Sequence, residues 1–196
     1  MQSVSTANFG PLIAYLVPGA TALWGLSEFS PTIRTWFAVT TPESPTISGF
    51  LYLTVASLAV GMTITAIRWA VVDRLHAATG LPPPDLDFSR LAGRVDAFAL
   101  LIDIHYRHYQ YYANMSVAMP IAYLCHRFAS GAMLSLGWLD LGFVAVEAVF
   151  LTTSRDTLSK YQVRTRQLLA TNKNESPTPH NREQCVTDEP HATCAT

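Results

Sequence analysis

Charge is what this sequence has least of. Only 14% of its 196 residues are charged while 49% are apolar, and an average soluble domain carries about 25% charged residues. The deficit is local, because neither Met1–Ser27 nor Ser44–Ile67 holds a charged residue or a histidine. A helix of about 20 apolar residues crosses the ~30 Å hydrocarbon layer of a bilayer, and the second run is long enough to do so. An ordinary soluble globular domain is thereby excluded. A net charge of −1 with no isolated basic stripe also removes nucleic acid as the default partner.

Cysteine is scarce as well. Cys125 lies in an apolar stretch and Cys185 and Cys194 in a polar tail, an odd count that reads as free thiols in a reducing compartment. Enzyme signatures are missing: no phosphate-cradling glycine loop, no Gly-x-Ser-x-Gly, no His-Glu-x-x-His and no Cys-x-x-Cys occurs. The tail set His180, Cys185, His191 and Cys194 matches no compact zinc spacing, and His105 with His108 lacks further ligands. No metal and no other cofactor is expected.

What is present is a set of four apolar segments, near residues 9–27, 49–72, 111–130 and 134–154, with Ser130-Gly131 as the turn between the last two. The expected fold is an all-α membrane protein: a four-transmembrane-helix bundle over residues 1–170, with a disordered C-terminal tail at 171–196. Eleven of the thirteen basic residues fall in the 74–110 loop and its edge at Arg68 or after the fourth segment, and only Arg34 and Arg127 stand opposite. The positive-inside rule then places that loop and both termini in the cytoplasm. Ala20-Thr21-Ala22 looks like a signal-peptidase site, but no Lys or Arg precedes Phe9, so the first segment is expected to stay as a span. Pro18-Gly19 reads as a packing kink within it in preference to a break lining a site.

Inside the 74–110 loop, Pro82-Pro83-Pro84 breaks the chain and Asp85 and Asp87 offer helix N-caps. Leu91, Val95, Phe98, Ile102, Tyr106 and Tyr109 then step by three or four, the pattern of a cytoplasmic amphipathic helix. Such a helix lies on the inner membrane surface or runs straight into the third span. The tail from Thr171 has almost no large apolar residue and cannot order itself. Small residues (Gly10, Ala14, Gly19 and Gly25 on the first segment; Gly49, Ala56, Ala59 and Gly61 on the second) permit close helix packing and self-association.

Candidate site residues follow from polarity in the wrong place. His105, Tyr109, Tyr112 and Ser116 share one helical face, with His108 and Tyr111 on a neighbouring one. Either they form a headgroup or cofactor pocket, with histidine as acid or base and tyrosine as donor, or the tyrosines are an interfacial aromatic belt, and four tyrosines in seven residues favour the belt. Glu147 stands among valines and alanines, where an ionised group costs roughly 2.5–3.5 kcal/mol and needs a partner or a purpose. Residue counting puts Arg68 and Asn114 at its depth, which predicts an Arg68–Asn114–Glu147 cluster. Asp140, seven residues earlier, is expected to meet Arg127 or His126 across the short turn.

The second span ending Ala66-Ile-Arg-Trp-Ala-Val-Val-Asp73 and the block His105-Tyr-Arg-His-Tyr-Gln-Tyr-Tyr-Ala-Asn-Met115 resemble a group of uncharacterised small bacterial inner-membrane proteins. That resemblance covers about residues 9–170 and implies a four-span topology in the inner membrane, without a mechanism. Two function classes remain. One is a non-catalytic bundle acting as an oligomeric channel, membrane effector or subunit of a membrane complex, with the lipid bilayer and protein partners around it. The other is a membrane-embedded enzyme acting on a lipid, quinone or isoprenoid headgroup, with Arg68 binding an anionic group and Glu147 or His105 moving protons.

Overall fold

A computed structural model describes residues 9–37, 47–84, 86, 88, 95–131 and 136–170. Among these residues the only regular structure is helical: α1 (Phe9–Leu26), α2 (Pro31–Phe37), α3 (Ile47–Ala78), α4 (Val95–Leu101), a π-helical turn (Ile102–Tyr106), α5 (Arg107–Ala129) and α6 (Trp138–Ala170). The expectations for the tail at 171–196, for Asp85 and Asp87, and for Leu91 lie outside the described residues.

The stretch Gly49–Ala78 of α3 is long and apolar enough to cross a membrane, and it is the only one among the described residues. Four spans were expected. The apolar part of α1, Leu12–Leu26, is shorter. Polar groups explain the other two: α5 opens on Arg107, His108, Gln110 and Asn114, and α6 carries Asp140, Glu147 and Arg155.

α1 packs along α3 and α5, and α6 packs on α5. Glycine sets the α1–α3 spacing. A Cβ built on Gly19 would lie 1.8 Å from the Ser57 carbonyl oxygen, and one on Gly61 would lie 2.1 Å from that of Tyr15. On the other flank a Cβ at Gly25 would meet the Ala122 Cα at 2.5 Å. α1 runs as one helix through Pro18, whose side chain is buried.

The end of α3 is built for a sharp stop. Gly80 has φ +96, and the Leu81 N–H donates to the His76 carbonyl at 2.9 Å while the Gly80 N–H donates to that of Ala77 at 3.3 Å. These are the two bonds of a Schellman cap. Arg155 of α6 donates to the Thr79 carbonyl at 2.7 Å, neutralising a helix C-terminus with a cation from the neighbouring helix. The amphipathic helix resolves in favour of continuity, since α4 passes through the π-turn into α5 without a break.

Candidate functional site

The polar centre of the molecule lies where α3, α5 and α6 meet near the end of α3. Arg68 is 2% exposed, its Nε is 3.9 Å from Asp73 Oδ1, and its guanidinium stands 5.4 Å from the Tyr109 ring centroid. The Tyr109 hydroxyl donates to the same Asp73 oxygen. On the far side of Tyr109, the buried His76 ring lies 6.2 Å away and its Nε2 meets Ser154 Oγ at 3.1 Å. Two guanidinium nitrogens of Arg68, Nε and Nη1, are buried without a hydrogen-bond partner. An orphaned N–H in a low-dielectric interior is costly, so Arg68 depends on Asp73 for its counter-charge.

Beside it opens a cavity of about 380 Å³. Trp69, Asp73, Arg74, Tyr106, Tyr109, Leu158, Tyr161 and Gln162 line it, and Pro83 and Pro84 close it on the side of the proline loop. The Tyr106 ring lies 6.0 Å from Tyr109 and 5.3 Å from Tyr161, so three tyrosines make a continuous aromatic face. Gln162 Nε2 donates to the Pro82 carbonyl at 3.4 Å and holds the proline loop against α6.

The expected Arg68–Asn114–Glu147 cluster does not form. Arg68 pairs with Asp73, and Asn114 donates to the Ala14 carbonyl at 3.0 Å and to Thr65 Oγ1 at 3.1 Å, tying α5 to α1 and α3. Glu147 keeps one carboxylate oxygen buried and unbonded. Depth was right and azimuth was not. Ser154 is level with His76, and seven residues back along two parallel helices puts Glu147 beside Trp69, but α5 lies between α3 and α6 there. Asp73 gives no signal in the sequence because it is five residues from Arg68, off the i, i+4 face, and reaches it only around Tyr109.

The histidine–tyrosine block divides. Tyr109, 2% exposed, belongs to the polar centre and not to an aromatic belt. His108 and Tyr112 turn to the other side of α5, into a cavity of about 340 Å³ shared with Ile13, Asp103, Arg107 and Tyr111. His108 Nδ1 donates to the Ile104 carbonyl at 2.5 Å. Periodicity accounts for His108, about 100° from Tyr109 around the helix, but Tyr112 is only about 60° away, so the face expected to be shared by Tyr109 and Tyr112 is divided between two cavities by the helices packed on it.

At the opposite end of the bundle, where α5 turns into α6, Asp140 meets Arg127 at 3.4 Å, accepts from the Tyr123 hydroxyl, and accepts from the Gly137 N–H at 2.5 Å. This carboxylate closes back on the residue before the helix and caps α6 as the third residue of a capping box does. Its position is explained by structure. His126 turns instead to Glu28, at 3.8 Å, and stacks on Trp24.

His105 is buried in the π-turn, and its Nδ1 has no partner. Burial first, and then the positive fields of Arg164, His108 and Lys160, hold it below the ordinary histidine value of 6.5. The unfolded chain therefore takes up a proton at this position before the folded one does. The resulting stability is complete above the unfolded value of about 6.5 and is lost as pH falls from there through the lower folded value. Thermal unfolding in detergent is expected to show His105→Gln losing less stability between pH 7 and 5 than the parent. Equal losses in the two proteins would show that His105 is not the group titrating.

Comparison with known protein families, with curated proteins and with solved structures finds no match to this chain.

Proposed function

We propose that this chain is a four-span helical bundle of the bacterial inner membrane, with both termini cytoplasmic. It acts without catalytic chemistry of its own, as a membrane effector or a subunit of a membrane complex. One observation carries the reading: the polarity of the bundle is inverted relative to a soluble domain. Beside Leu23, Ile64, Val72, Met115 and Leu169, the buried positions hold many small or polar residues, Ala14, Ala22, Ser57, Ala113, Asn114, Ser116 and Ala118, whereas many more large apolar side chains face outward, some on every long helix. Phe50 is 70% exposed on α3, Val144 and Val149 are 60% and 61% exposed on α6, and Leu12 and Leu124 are exposed on α1 and α5. Only 17% of the most apolar part of α3 is covered by the rest of the chain. In water such surfaces aggregate; in lipid, small interfacial residues and interhelical hydrogen bonds are what hold helices together.

The outward apolar faces of α1, α5 and α6 are what favour four spans over one, even though α5 and α6 carry polar groups. Those groups are turned inward: Asn114 to α1 and α3, Asp140 to Arg127 and Tyr123. Among the described residues, the axis between α1, α3 and α5 is filled by the buried Ala14, Ser57, Ile64, Ala113 and Asn114. An effector or subunit role fits this packing better than a channel through one copy does, and a channel between copies is untouched by it.

Compartment-sensitive reporters test it. A fusion after Ala170 is expected to report the cytoplasm and an insertion at 44–46 the opposite side, with the chain resisting alkaline extraction. An extracted chain, or either reporter on the wrong side, overturns the four-span reading.

A further inference from the structure

The cavity of about 380 Å³ beside Tyr109 has a wall chemistry that the bundle alone does not require. Its two charges are opposite and adjacent, Asp73 and Arg74. Asp73 meets Tyr109 and Arg68 through one oxygen, Oδ1, and its side chain stays 29% exposed. The rings of Trp69, Tyr106, Tyr109 and Tyr161 line the same cavity, with Tyr109 bonded to that carboxylate and carrying Arg68 over its ring. Aromatic faces next to a carboxylate attract an organic cation, because the ring quadrupole and the fixed charge act on it together. A purely anionic ligand would meet Asp73 in the wall, and a purely cationic one would meet Arg74. A zwitterion satisfies both.

The height of the cavity narrows the choice. It opens where the charge-free run of α3 has ended at Arg68 and the exposed Trp69 begins the interface, with the proline loop above it on the cytoplasmic side. This is the level of lipid headgroups in a spanning bundle. Resting on the membrane reading above, we infer that the cavity receives the headgroup of a zwitterionic aminophospholipid from the inner leaflet. The primary ammonium lies against Asp73 and the tyrosine rings, and the phosphate lies toward Arg74. The acyl chains leave past Trp69 into the bilayer.

Headgroup selectivity is the direct test. The protein is equilibrated in mixed micelles with equimolar phosphatidylethanolamine and phosphatidylglycerol of matched chains, and the lipids retained are counted by native mass spectrometry. Phosphatidylethanolamine is expected to be retained about tenfold over phosphatidylglycerol, the scale of a partly desolvated cation–aromatic contact. Arg74→Gln, at an exposed position, should lower its retention several-fold. Removing the carboxylate is best done in Arg68→Met with Asp73→Asn, which leaves no buried guanidinium unpaired, and should erase the preference. Equal retention of the two lipids, preference for the anionic one, or unchanged selectivity in both variants overturns the inference. These outcomes are separable from failure of the membrane reading: a chain that resists extraction but shows no headgroup preference defeats only the lipid site.

Discussion

Gly61→Ala is expected to separate α1 from α3 and to lower the unfolding temperature in detergent by roughly 6–12 °C. The added methyl carbon would stand 2.1 Å from the Tyr15 carbonyl oxygen, and its counterpart in Gly19→Ala would stand 1.8 Å from that of Ser57. In both cases the obstructing atom belongs to a backbone, which cannot rotate away as a side chain can. Overpacking a well-filled interior costs about 1–3 kcal/mol and more where a backbone must shift, and about 3 kcal/mol corresponds to that temperature change in a chain of this size. Gly142→Ala is the control. Nothing lies within 4 Å of its added methyl, and alanine in place of glycine favours the helix by about 0.5–1 kcal/mol. Thermal unfolding followed by fluorescence-detected size exclusion reads all three. If Gly61→Ala unfolds with the parent, α1 and α3 are not in backbone contact.

The second large effect concerns Arg68. Asp73→Ala should destabilise by about 3–5 kcal/mol, because it leaves a guanidinium that is 2% exposed without its counter-charge and removes the acceptor of the Tyr109 hydroxyl. Arg68→Met combined with Asp73→Asn should recover most of that loss. An apolar or neutral replacement of a buried ion pair is often near neutral, and the amide oxygen introduced at position 73 still accepts from Tyr109. Glu147→Gln should be neutral or stabilising, because the carboxylate oxygen it replaces is buried without a partner. A double-mutant cycle on unfolding midpoints measures the coupling. A large loss in Glu147→Gln together with none in Asp73→Ala would transfer the pair back to Glu147.

The difference between those two carboxylates shows where sequence reading stops. Class and depth are one-dimensional properties. The uncharged run at 44–67 establishes the apolar helix, read as 49–72 and continuing to Ala78 in the structure, Pro82-Pro83-Pro84 with Gly80 marks its end, and Ser130-Gly131 marks the next turn, with Gly131 at φ +65. Counting residues from that turn places Asp140 near Arg127 correctly, because a short connection constrains both helices around it. The depth of Glu147 opposite Arg68 also comes from counting.

What counting cannot supply is the rotation of each helix and the choice of neighbours. That was decided by small residues. Gly19, Gly61 and Gly25 let α1 press against α3 and α5, and this contact, with Asn114 bridging to Ala14 and Thr65, turns Tyr109 toward Asp73 and places α5 between Arg68 and Glu147. The same rotation sends Tyr109 to one cavity and His108 and Tyr112 to another, although all three fall within five residues. Sequence determined that this chain has polar groups needing partners in an apolar setting. Only the tertiary structure decided which partner each one found, because a partner across a helix interface is fixed by azimuth, and azimuth is fixed by where backbones can approach.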